Sequence, residues 1–171
     1  LIPSIAFTNT LEANDFQTCL DNLRTEAVEK NLSPTAINAI LDSAERLPRV
    51  VAADRKQAEF IESFGTYYGK RVTTSRIEQG REYLTKHAAL LESVRATTQI
   101  PPQYLLSLWG LETNFGQYFG KLSIPSALTT LACDKRRADF FKQQLFALVT
   151  LVGEGHMRVE QLRGSWAGAM G

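Results

Sequence analysis

The sequence has few of the residues that would tie it to a metal, a membrane or a nucleic acid. Its only cysteines are Cys19 and Cys133 and its only histidines His87 and His156, and none has the close spacing of a zinc site. No D-x-D-x-D loop is present for calcium. Neither a metal nor another cofactor is therefore expected. No run of about 18 apolar residues occurs, so no transmembrane segment is expected. Charge of one sign is also lacking: a formal net charge of +1 without a basic stripe gives no footprint of a nucleic-acid binder. Sustained alternation of apolar and polar residues is absent, which argues against half-buried strands, and there is no internal repeat or low-complexity segment. The chain shows no signal peptide or lipidation motif and begins with Leu1 rather than Met. That start reads as a processed or trimmed chain, compatible with a removed export signal.

What remains is a helical pattern. With 171 residues, 44% of them hydrophobic and 22% charged, the chain can form one domain with a sizeable core, or a domain with a helical appendage. Phe16, Leu20, Leu23 and Ala27 mark one amphipathic helix. Ser33 and Pro34 read as an N-cap and first helical residue, followed by the stripe Ile37, Ile40, Leu41 and Ala44. A turn at Pro48 leads to a predicted helix from about Asp54 carrying Ala58, Ile61 and Phe64. A long helix is predicted from Thr74 to Thr98, weakened by Gly80. Pro101–Pro102 and Ile124–Pro125 start two more. Asp134 is placed as the cap of a last one, with Phe140, Phe141, Leu145, Leu148 and Val149 for its core. The fold class expected is all-α.

Two features keep alternatives open. Cys19 fits the apolar face of its helix as a buried free thiol, and equally fits a Cys19–Cys133 disulfide in an oxidising compartment. The tail RGSWAGAMG, Arg163 to Gly171, packs three glycines and two alanines around Ser165 and Trp166. It reads either as a tight bend that lets backbone approach a ligand, or as a flexible end. Ending inside this block, the chain reads as truncated.

The stretch LLSLWGLETNFG sets a glutamate behind an apolar run. Leu105, Leu108, Trp109 and Glu112 stand at i, i+3, i+4 and i+7 and share one helix face. Counted so, Glu112 continues a buried stripe, and burial raises a carboxyl pKa, as general acid catalysis of a glycosidic bond requires. In the alternative, Glu112 emerges at the surface where the helix ends in Thr113 and Asn114.

WGLETNFG, PSALTTLACDKRRADFF and RGSWAGAMG, in this order and spacing, resemble the lytic murein transglycosylase B family. The upstream segments RVVAADRKQAEF and RVTTSRIEQGREYL are similar as well, so the resemblance covers essentially the whole chain. It implies an N-terminal helical domain over 1–70 and, over 71–171, the first part of a lysozyme-like catalytic core. It implies a periplasmic enzyme, soluble or lipid-anchored, whose partner is the glycan strand of peptidoglycan, alongside cell-wall synthesis or remodelling proteins. The reaction implied is non-hydrolytic cleavage between N-acetylmuramic acid and N-acetylglucosamine, leaving 1,6-anhydromuramic ends. Glu112 matches the family's catalytic acid. Ser165 matches a serine that holds substrate or orients the glutamate. Arg136 and Arg137 match paired arginines that meet peptide-stem carboxylates, their alternative being a solvated helix face. Tyr67 falls near a family tyrosine that lines the groove, with Tyr68 a neighbouring rival and simple packing the alternative for either. Beyond Gly171 the family continues with a glutamine-containing segment and, in some members, a calcium loop. Two other readings are a non-catalytic helical module that binds peptidoglycan or a partner protein, and a structural lobe with Glu112 salt-bridged in its core.

Overall fold

A computed structural model describes residues 5–169, and their side chains apart from those of 5–13, 58 and 59. Met170 and Gly171 of the tail block, and the Ala58 side chain, lie outside the described residues. The helices are α1 (Ile5–Glu29), α2 (Pro34–Leu41), α3 (Pro48–Arg55), α4 (Ala58–Ile61), α5 (Phe64–Arg71), α6 (Thr74–Lys86), α7 (Ala88–Thr98), α8 (Pro102–Thr113), α9 (Ile124–Ala132) and α10 (Ala138–Gly153). Two short strands, β1 (Leu122–Ser123) and β2 (Arg163–Gly164), pair antiparallel with Leu122 opposite Gly164. This ribbon is an addition to the all-helical expectation. Two residues a side are too few to show as alternation in a sequence.

The chain divides into two compact units. The first runs up to Arg55 and resumes at Gly120, and the second is Lys56–Phe119. This division cuts across the 1–70 and 71–171 segments expected from the sequence.

In the first unit α9 is buried along its whole length, from Ile124 to Ala132. Around it pack Leu20, Leu23 and Ala27 of α1, Ile37, Ile40 and Leu41 of α2, Val50 of α3, and Phe141, Leu145, Leu148 and Val149 of α10. Two of the polar residues of α9 serve the loop between α2 and α3. Ser126 Oγ accepts from the Glu45 amide at 3.0 Å, and Thr130 Oγ1 accepts from the Leu47 amide at 3.0 Å. A buried helix can carry these hydroxyls because they satisfy backbone groups that would otherwise be stranded. Cys19 of α1 and Cys133 at the end of α9 are joined in a disulfide with Cα atoms 5.9 Å apart, so neither is a free thiol.

Several element boundaries differ from expectation, each for a local reason. Pro48 opens α3 rather than a turn, since a proline at the first helical position forfeits no intrahelical bond. The predicted helix from Asp54 is instead the end of α3 followed by α4 and α5, with Ser63 capping α5 through the Thr66 amide. The long helix from Thr74 breaks at His87 (φ −109°, ψ 20°), which ends α6 and begins α7, whereas Gly80 stays helical. Asp134 does not cap α10: the helix begins four residues later, at Ala138, and Asp134 is held by Arg55 at 2.9 Å. Phe140 faces solvent while its neighbour Phe141 fills the core.

In the second unit α6 and α8 pack against each other, with α7 between them in sequence. Among the described residues the buried ones are Leu91, Leu106, Gly110, Thr113 and Phe115. A cluster of rings joins the helices: Tyr83 stacks on Trp109 at 5.4 Å and meets Phe115 edge-on at 5.2 Å, with His87 edge-on to Tyr83 at 5.4 Å. The edge-on arrangements suit the opposed charge of ring face and ring edge.

Candidate functional site

Glu112 lies in the last turn of α8, directly before a turn built by its neighbours. Asn114 (φ 50°), Phe115 (φ 57°) and Gly116 (φ 79°) follow one another in the left-handed region. For the two non-glycine residues this costs about 1–2 kcal/mol each, so other contacts must hold it. Thr113 Oγ1 donates to the Trp109 carbonyl at 3.2 Å and accepts from the Gly116 amide at 2.9 Å. The Phe115 amide donates to the Trp109 carbonyl at 3.2 Å, and the Tyr118 amide to the Thr113 carbonyl at 2.8 Å. The Phe115 ring folds back over Gly110, where a Cβ would lie 2.7 Å from Cζ. The sequence T-N-F-G thus ties off the helix, and Gly110 provides the space for it.

The burial expected for Glu112 is not found. Its side chain is exposed, Leu108 is 58% and Trp109 38% exposed, and the buried face of α8 is Leu106, Gly110 and Thr113. The reason is that α8 carries large apolar residues almost all round, so periodicity does not single out its inner face. The choice falls to the small Gly110, against which Phe115 closes. Nor does Glu112 make an ion pair among the described residues, so it is not the salt-bridged acid of a structural core. On an adjacent face of the same helix a cleft of about 340 Å³ is lined by Ile77, Leu84, Leu106, Leu111 and Phe115, with Arg71, Arg76 and Arg81 among its polar groups. Glu112 is not among its lining residues. Tyr67, in α5, is half-buried beneath the Arg71 guanidinium, 5.2 Å from the ring centre, whereas Tyr68 is exposed beside Phe64.

The remaining expected residues lie in the first unit. Ser165 organises the tail: its Oγ accepts from the amides of Ala167 and Ala169, each at 3.2 Å, while its own amide donates to the Ala169 carbonyl at 2.8 Å. The tail is therefore a hydrogen-bonded bend through Ala169, not a loose end. The glycines it needs are fixed by contact: a Cβ on Gly120 (φ 83°) would stand 2.1 Å from the Gly164 carbonyl.

Arg136 and Arg137 belong to the loop before α10, and both reach one carboxylate. Asp54, 1% exposed at the end of α3, accepts from Arg136 Nη1 at 2.6 Å through Oδ2 and from Arg137 Nη2 through Oδ1. Arg136 Nη1 also donates to the Asp54 carbonyl at 2.6 Å. The Arg137 guanidinium lies 4.9 Å from the centre of the Phe141 ring. Burial alone would push the Asp54 carboxyl up, but the hydrogen bonds and charges of Arg137 and Arg136 outweigh it and hold it below its ordinary value. The arginines are not a freely solvated helix face. Asp54 escaped the sequence reading, although Val50 and Asp54 stand at i and i+4, so an acid shares the face of a core valine. That spacing was the available signal.

The helical layout and the sequence blocks together place the protein among the mainly α, lysozyme-like transglycosylase folds. Residues 15–171 match the family described as the transglycosylase SLT domain, and the chain belongs to that family. It is 27% identical over 145 residues to membrane-bound lytic murein transglycosylase B of Escherichia coli (strain K12), a match covering 79% of this chain and 40% of that protein. SltB3 from Pseudomonas aeruginosa, solved in complex with NAG-NAM-pentapeptide, is 31% identical with a TM-score of 0.81, covering 91% of this chain and 42% of that one. Soluble lytic transglycosylase SltB1 of the same organism is 27% identical with a TM-score of 0.76, covering 89% and 52%. The chain thus spans about 40% of the length of the curated relative it matches.

Proposed function

We propose that this chain acts on peptidoglycan as a lytic transglycosylase, with Glu112 as acid and then base. The observation that carries this reading is a solvent-accessible carboxylate on the end of α8, a helix end held by the left-handed turn after it, in a chain of the transglycosylase SLT domain family. Protonated Glu112 donates to the glycosidic oxygen between N-acetylmuramic acid and N-acetylglucosamine. The 2-acetamido oxygen of the muramic sugar closes on its anomeric carbon as the bond breaks. Glu112, now a carboxylate, takes the proton of the C6 hydroxyl, which attacks the same carbon and releases the acetamido group. The product is a 1,6-anhydromuramic end, and no water is consumed. The C6 hydroxyl is already on the ring, so the second step needs no bimolecular encounter. Ser165 holds substrate with its hydroxyl proton while its oxygen ties down the tail. Arg136 and Arg137 meet stem carboxylates, and Tyr67 lines the groove. The setting is the periplasm, whose oxidising conditions preserve the Cys19–Cys133 bond. No described helix is long and apolar enough to cross a membrane.

Incubating the chain with purified peptidoglycan and weighing the released muropeptides tests this. Anhydro ends are expected, and Glu112→Gln is expected to abolish them. Reducing ends from wild type, or full activity in Glu112→Gln, would refute the mechanism.

The exposure of Glu112 favours one second reading, a module that binds peptidoglycan without cleaving it. General acid catalysis gains from a desolvated carboxyl, and α8 does not bury this one. Tight co-sedimentation with peptidoglycan and no released product would identify that case.

A further inference from the structure

The arginine pair raises a question of its own. Two adjacent arginines in a loop would ordinarily sample many rotamers, and ordering each long side chain costs up to about 2 kcal/mol. Here both are ordered before any ligand arrives. Their loop is fastened just before them: Cys133 is bonded to α1, Asp134 accepts from Arg55 at 2.9 Å, and the Arg136 amide donates to Asp134 Oδ2 at 3.4 Å. Asp54 then holds one terminal nitrogen of each guanidinium. Part of each guanidinium remains open to solvent, since the Arg136 side chain is 45% and the Arg137 side chain 37% exposed, although Arg137 Nε itself is buried without a partner. A guanidinium is a rigid planar donor, so fixing one edge aims the opposite one. The three side chains carry one negative and two positive charges, leaving one positive charge uncompensated beside solvent. Such a fork suits a carboxylate, which accepts two parallel N–H groups.

We infer that Asp54 is a positioning residue that presents Arg136 and Arg137 as a preformed receptor for a carboxylate of the peptide stem. The inference rests on the reading of this chain as one that acts on peptidoglycan. Asp54 does not touch the ligand, and it sets specificity by fixing the donors that do.

The test uses the 171-residue chain and two ligands, a disaccharide-peptide muropeptide with free stem carboxylates and the same compound with them amidated. The quantity read is the ratio of the two dissociation constants. Wild type is expected to prefer the free acid by roughly tenfold or more, the range for a hydrogen-bonded charge pair. Asp54→Asn, which keeps the shape but loses the anchoring charge, is expected to bring the ratio close to one. A purely structural role would weaken both ligands together and leave the ratio intact, and that result would overturn the proposal. Arg136→Lys, at a half-exposed position, decides the matter if Asp54→Asn fails to fold. Lysine keeps the charge and loses the fork, so an unchanged ratio in that variant also refutes the idea. Wild type binding both ligands equally would remove the proposal and the stem-carboxylate role of the two arginines, and leave the transglycosylase reaction at Glu112 standing. Wild type binding neither would remove both.

Discussion

Thr129 lies at the centre of α9 with no exposed surface, and its hydroxyl has no hydrogen-bond partner. Its neighbours Ser126 and Thr130 each accept from a loop amide, so the three hydroxyls of this helix face different energetics. A buried unpaired hydroxyl carries a desolvation cost of about 1–3 kcal/mol that a methyl group would not. Thr129→Val is therefore expected to raise stability by about 1 kcal/mol, read as a higher denaturant midpoint with an unchanged slope. Gly110 is the opposite case. A methyl there would meet the Phe115 ring at 2.7 Å, and that ring is held by a turn with little slack. Gly110→Ala is expected to cost about 1–3 kcal/mol by overpacking, measured by the same titration. Because the displaced ring follows Glu112 by three residues, the variant should also lose activity on peptidoglycan beyond what its stability explains.

At the level of elements, α3 and the loop before α10 are joined through Asp54. Its pKa in the folded chain lies below the unfolded value, so its contribution is complete above about pH 4, the ordinary carboxylate range. It is lost as pH falls through the lower, folded value. Asp54→Asn should therefore destabilise by roughly 3 kcal/mol at neutral pH, the low end for a buried pair because both guanidiniums are half in water. The difference from wild type should shrink as both are titrated toward pH 2, and a difference constant with pH would contradict the assignment. None of this linkage was visible in the sequence, because Asp54 and the arginines are about 80 residues apart and no local pattern joins them. What was legible were helix starts that a single residue decides. Ser33 before Pro34, Pro101 before Pro102, and Ile124 before Pro125 each open a helix in the structure. What was not legible was the inner face of α8, where apolar side chains point in every direction and tertiary packing makes the choice. The break at His87 was hidden for a similar reason, since the residues on either side keep their helical spacing. Glu112, Arg136, Arg137 and Ser165 were singled out by motif as candidates, but their exposure and partners came only with the fold.

For the whole molecule the disulfide has a consequence that depends on which unit holds it. Cys19 and Cys133 are 114 residues apart in sequence, and the loop they close contains all of Lys56–Phe119. Both cysteines nevertheless belong to the first unit. Closing a loop of about 100 residues removes chain entropy worth about 5 kcal/mol from the unfolded state, an upper figure if that state retains structure. Reduction should therefore destabilise the first unit by up to that amount while leaving the second with its own ring cluster and helix packing. The two tryptophans allow the effects to be separated, because Trp166 lies in the first unit and Trp109 in the second. In a Trp109→Phe variant, fluorescence reports the first unit, and its denaturant midpoint should fall markedly on reduction. In a Trp166→Phe variant, the Trp109 signal should keep its midpoint, since no cysteine lies in that unit. Equal shifts in both variants would mean that the two units unfold as one cooperative body, so that the bond stabilises the helix bearing Glu112 as much as the core that contains the bond.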